Sequence, residues 1–320
     1  MSDPGSAPDG APDGAPDRDF DDNPYDLLAR DDDAAHRWAF GTGFTDPLDG
    51  IDRSVPDGVD QGQLARCCLA LGDDALIYSH RLQQWVTRMP ELEEETALAN
   101  VALDLLGQAR MLLSRAGGIV GRSEDQLAFF RAEPEFRNVR LAEHADRDFA
   151  ELTVRLLLLS TWRLALFESL AGRGPGAGAA DPVLAAIAAK GVNELAYHRD
   201  YAAGWVVRLG DGTALSHAKA QAALDILWPQ AVELFRPDPD ALAACPGGIG
   251  DRAAFDAIVD TVLAAAGLDR PAAPGPACPP GRPPAAVGER AGRDGAHTAA
   301  MAGILAELQS VARADPGATW

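Results

Sequence analysis

Lysine is almost missing from this 320-residue chain: only Lys190 and Lys219 occur, and the rest of the 28 basic residues are arginine. With so much alanine, glycine and proline, that choice reads as GC-rich coding bias rather than chemistry. Glutamate is missing from residues 1–60, which hold sixteen Asp and four Arg, so 12 of the 20 net negative charges lie there. The other 260 residues carry only −8, and no basic face argues for nucleic acid. Cysteine is scarce too. Cys67, Cys68, Cys245 and Cys278 show no C-x-x-C spacing, which argues against a disulfide framework or a zinc site and fits a reducing, cytoplasmic setting. No basic stretch followed by an apolar core opens the chain, and no apolar run approaches the roughly 18 residues that span a bilayer.

What is present is helical periodicity. Residues 1–60 open on a short APDG repeat and stay acid-rich, which predicts a disordered extension ahead of a folded body at 61–320. Leu64, Cys68, Leu71, Ala75, Tyr78, Leu82, Trp85 and Met89 alternate spacings of four and three, the seam of a first helix closed by Pro90. A second spans 91–117, with glutamates in its first turns, a stripe of Leu98, Val101, Leu105, Ala109, Leu112 and Ala116, and Gly117-Gly118 as its stop. The tight connection predicts an antiparallel hairpin.

Beyond a connecting segment at 119–143, a third helix over about 146–170 is apolar nearly all round. Asp181-Pro182 caps and opens a fourth, striped by Ile187, Gly191, Leu195, His198, Ala202, Trp205 and Leu209. Further helices are expected over about 216–235 and 253–266. A Pro/Gly-rich arm at 270–296 and a C-terminal helix and tail at 297–320 complete an all-α chain, with no period-two alternation anywhere.

Long helices with polar residues beside their seams invite a test for a carboxylate-bridged di-iron centre. That centre needs a Glu from each of two helices and a Glu-x-x-His from each of the other two. Of the six histidines, only His36 and His297 follow a carboxylate by three residues, and both lie outside the expected bundle. His198 follows Glu194 by four, a single half-motif. No phosphate-loop, dinucleotide, zinc-protease or serine-hydrolase signature occurs. What remains is a cluster of Asp104, Lys190, Glu194 and His198, joined in some arrangements by Asp74. It reads as a salt-bridged core where relatives of the fold hold metal; solvated positions or an acid–base site are the alternatives. A second candidate is the loop with Arg131, Phe136, Arg137 and Arg140, whose guanidinium forks suit phosphates or planar rings. Its alternative is a set of solvated, helix-flanking arginines.

The strings LGDDALIYSHRLQQWVTRMPELEEETALANVALDLLGQAR (71–110), KGVNELAYHRDYAAGWVVRLGDGT (190–213), LDILWPQAVELF (224–235) and GAHTAAMAGILAELQSVARADPGATW (295–320) closely resemble the PaaC subunits of ring-1,2-phenylacetyl-CoA epoxidases, in order and in register. The resemblance spans about residues 62–320. It implies a ferritin-like helical bundle with a degenerate, metal-free site, serving as a structural subunit in aerobic phenylacetate catabolism without a catalytic site of its own. Implied partners are a PaaA-type di-iron subunit, a small PaaB-type subunit and a PaaE-type reductase carrying FAD and iron–sulfur. Together they epoxidise phenylacetyl-CoA with O2 and NADPH. The family's CoA-ester contact near the interface of the two large subunits maps onto Glu135, Phe136, Arg137 and Asn138. A stand-alone ferritin-like binding or stress protein without metal is the alternative function.

Overall fold

A computed structural model describes residues 48, 50–89, 91–172, 181–236, 250–272 and 290–317. The expected acidic extension therefore falls mostly outside the described residues, as does most of the Pro/Gly-rich arm. The compact unit begins at residue 47. Leu48, Ile51, Val55 and Val59 pack against the core, upstream of the boundary expected at residue 60.

Asp60 caps the first helix by accepting from the Gln63 amide, and α1 runs Gln61–Val86. It stops before Pro90 is reached. α2 spans Leu92–Val120 and continues through Gly117-Gly118 to end on Gly121, whose φ of 69° is the left-handed conformation only glycine adopts without strain. Ser79 Oγ donates to Ala102 O at 2.6 Å, while a Cβ on Gly72 would press on Leu113. The two helices therefore run antiparallel, as the tight connection predicted.

Short helices α3 (Glu124–Phe129) and α4 (Arg140–Glu143) interrupt the connecting segment. α5 (Phe149–Leu170) is buried on nearly every side, capped by Asp148. Asp181 caps α6 (Pro182–Gly210) through the Leu184 amide at 2.8 Å, with Pro182 at the first helical position. A Cβ on Gly191 would stand 2.7 Å from the Phe167 ring, so glycine is what lets α5 and α6 close together. α1, α2, α5 and α6 form a four-helix bundle. α7 (Ala214–Ala231) packs on α5, and α8 (Arg252–Ala266) on both α5 and α6. α9 (Ala300–Leu308) and α10 (Ser310–Ala314) close the chain, α9 against α1.

No strand occurs among the described residues, and no described helix is long and apolar enough to cross a membrane. Cysteine is where the sequence expectation fails. Cys67 is disulfide-bonded, while Cys68 is a free buried thiol whose pKa burial pushes up to about 12. Local C-x-x-C spacing carries no information about a bridge between cysteines far apart in sequence.

Candidate functional site

The four long helices meet around one guanidinium. Arg163 comes from the apolar run of α5 and is fully buried, its carbon skeleton placing the charge 4.5 Å from the Phe167 ring centroid. Its Nε donates to Gln108 Oε1 on α2 at 2.9 Å, and its Nη1 to the Leu71 carbonyl on α1 at 3.1 Å. Gln108 passes the connection on, donating to Glu194 Oε2 on α6 at 3.0 Å. Glu194 in turn is paired with Lys190 one turn earlier. Burial lowers the Arg163 pKa to about 10, opposed by the Asp74 carboxylate, and the side chain stays cationic at neutral pH.

The expected cluster is thus brought together in two branches. One is Lys190–Glu194–Gln108–Arg163. The other joins His198 Nε2 to Asp104 Oδ2 at 3.0 Å, with His198 sealed inside and Asp104 about one-third exposed. Asp74 belongs to neither, since its carboxylate is taken by Arg293 and the Val139 amide. Beside Arg163 lies a cavity of only about 10 Å³, lined in part by Asp74, Tyr78 and Ser160, with room for one water at most. Arg163 Nη2, Tyr78 Oη and His198 Nδ1 are buried without a protein partner.

These residues do not fit a di-iron centre. A fixed cation stands among the carboxylates, one histidine is available, and among the described residues no group of three or more His, Cys, Asp or Glu is placed to hold a metal. The cavity beside Arg163 has no room for a reactant larger than water. Arg163 and Gln108 were absent from the sequence candidates. The signal was present, though, because an arginine inside LLLLSTWRLALF must find partners if the helix is surrounded.

The second candidate forms a separate corner, where the 131–143 loop meets the residues before α9. Asp73 receives the buried Arg131 guanidinium and the Arg137 amide at 2.9 Å. Asp74, its neighbour on α1, receives Arg293 Nη2 at 2.7 Å and the Val139 amide at 2.8 Å. Glu143 is fully buried and accepts from Asn138 Nδ2 (2.8 Å), the Thr298 amide (2.7 Å) and the Thr298 hydroxyl (2.6 Å), with His297 Nδ1 at 2.7 Å. Of the four residues proposed for the CoA ester, Phe136 and Asn138 are sealed in this corner, Phe136 under the Arg131 guanidinium. Glu135 is exposed and Arg137 half-buried. Neither picture of the arginines holds in simple form. Arg131 is inside, Arg137 donates to the carbonyls of Pro134 and Phe136, and Arg140 donates to those of Ala296 and Arg290. They act as clamps on backbone.

Residues 52–320 match the family model described as phenylacetic acid catabolic protein. The chain is also 38% identical, over 264 residues, to the C component of the 1,2-phenylacetyl-CoA epoxidase of Escherichia coli (strain K12), a match covering 81% of this chain and 99% of that protein. The chain belongs to the phenylacetic acid catabolic protein family, and its bundle is the ferritin-like helical fold of that family.

Proposed function

We propose that this chain is the metal-free, non-catalytic structural subunit of a phenylacetyl-CoA epoxidase, acting in phenylacetate catabolism beside a homologous PaaA-type di-iron subunit. The observation that carries this reading is Arg163. Its guanidinium, tied to α1 and α2 and linked through Gln108 to α6, supplies at the bundle centre the positive charge that a metal pair would otherwise supply. A carboxylate set already neutralised by fixed side chains gains little from binding iron.

A metal-free bundle still offers a related bundle a broad helical face, and it can hold its partner's loops and substrate in place without chemistry of its own. PaaB-type and PaaE-type components complete the assembly, with di-iron in the partner and FAD and iron–sulfur in the reductase, in the cytoplasm. In the 135–138 loop, contact with the CoA ester falls to Glu135 and Arg137, with Phe136 and Asn138 holding the loop's shape from within.

Co-expression of the tagged chain with a PaaA-type subunit tests this. The expected result is a stable complex in which iron follows the partner, and a purified chain alone with iron far below one equivalent. Near-stoichiometric iron in the isolated chain, or a stable monomer that ignores the partner, would overturn it. The latter would favour the stand-alone binding protein.

A further inference from the structure

A second cavity, of about 440 Å³, opens where α1 ends, within the range of about 300–1,000 Å³ usual for small-molecule sites. We propose that it binds a nucleotide, holding the phosphates with Arg81 and Arg88 against the flat wall of Trp85. This stands apart from the subunit role above.

Two features of this cavity match two parts of a nucleotide. Arg81, Trp85 and Arg88 lie at i, i+4 and i+7 along α1 and the turn that follows it, so they share one face. Among the described residues neither guanidinium is ion-paired, unlike Arg115, Arg131, Arg155 and Arg293, which each hold a carboxylate. Arg81 is half-buried and uses Nε on the Glu143 carbonyl (3.0 Å) and Nη1 on Gln84 Oε1 (2.9 Å), both neutral acceptors. Arg88 is exposed and lies over the Trp85 ring at 5.9 Å. Two guanidinium groups without a direct carboxylate partner on one wall of a cavity favour an anion.

Of the two acidic residues on the opposite side, Asp146 is sealed inside and Glu307 is largely exposed. Glu307 accepts from Gln84 and sits 3.4 Å from His80, and Asp146 pairs through Oδ2 with Arg155. Trp85 supplies the surface for a planar base. Anion and ring together point to a nucleotide rather than inorganic phosphate. Both a free nucleoside diphosphate and the nucleotide end of coenzyme A carry these groups.

Calorimetric titration of the purified full chain with ADP, CoA and inorganic pyrophosphate tests the proposal. ADP or CoA is expected to bind saturably, about tenfold or more tighter than pyrophosphate, with affinity falling about tenfold or more in Arg88→Glu. Because Arg88 is exposed and unpaired, that variant should keep the parent melting temperature. Tighter binding of CoA than of ADP assigns the site to an acyl-CoA, and the reverse to a free nucleotide. No saturable nucleotide binding at millimolar concentration, pyrophosphate binding as tightly as ADP, or an Arg88→Glu affinity equal to the parent's would overturn the proposal.

Discussion

The bundle centre and the 131–143 corner both bury charge, yet they satisfy it differently. In the corner, Glu143 meets four donor atoms from three residues, and Asp73 and Asp74 each hold a guanidinium plus a loop amide. At the centre, Arg163 meets two neutral acceptors and keeps one nitrogen without a partner, beside a small void. A fully satisfied carboxylate fixes the positions of the segments that donate to it. A partly satisfied cation only fills space and balances charge. The difference teaches where this protein has kept precision. It lies in the scaffold that shapes its loops rather than at the middle of the bundle.

The strongest way to break that contrast is Glu143→Ala, which strands Asn138, His297 and Thr298 in a dry interior. The expected loss is about 3–5 kcal/mol in urea unfolding, as for other broken buried charge networks. A cost below about 1 kcal/mol would remove the distinction between the two regions. Arg163→Met is expected to cost less, about 1–2 kcal/mol, since it leaves only Gln108 Oε1 and the Leu71 carbonyl short of a donor while keeping most of the volume. If it proved worse than Glu143→Ala, the centre would be the more specified region. Asp104→Asn retains an acceptor for His198 at a one-third exposed position, so its unfolding midpoint should shift by no more than about 0.5 kcal/mol equivalent.

The smallest effect is in the pH dependence. Burial lowers the pKa of His80 from its ordinary 6.5, partly offset by Glu307. The folded state then binds fewer protons than the unfolded chain between the lowered value and 6.5. Stability from this group is complete above 6.5 and is lost as pH falls through the lowered value. His80→Phe should flatten the slope of unfolding free energy between pH 7 and about pH 5. An unchanged slope would remove His80 from that balance.

The helices were legible because apolar stripes at spacings of three and four report directly which face is buried. Leu98, Val101, Leu105, Ala109, Leu112 and Ala116 are all in the core, as are Ile187, Leu195 and Ala202. The Asp181-Pro182 start was legible for an equally local reason. The Gly117-Gly118 stop was misplaced because a glycine inside a helix can serve close packing instead. A Cβ on Gly117 would stand 2.2 Å from the Arg122 carbonyl. The loop arginines could not be assigned from sequence, since their acceptors are largely backbone carbonyls, which every residue carries. The aspartates at 73 and 74 were opaque for another reason. Adjacent residues on a helix point about 100° apart, and their partners lie far along the chain.

That separation has a consequence for how the protein is made. Asp74 and Arg293 are 219 residues apart, and Glu143 and His297 are 154 apart. During synthesis the first four long helices emerge and can associate while the corner still lacks the segment that neutralises Asp74 and Glu143. The bundle should therefore form early and carry unmatched buried carboxylates until the segment carrying Arg293 and His297 leaves the ribosome. Folding of the 131–143 loop is thereby made to wait for a segment synthesised long after it.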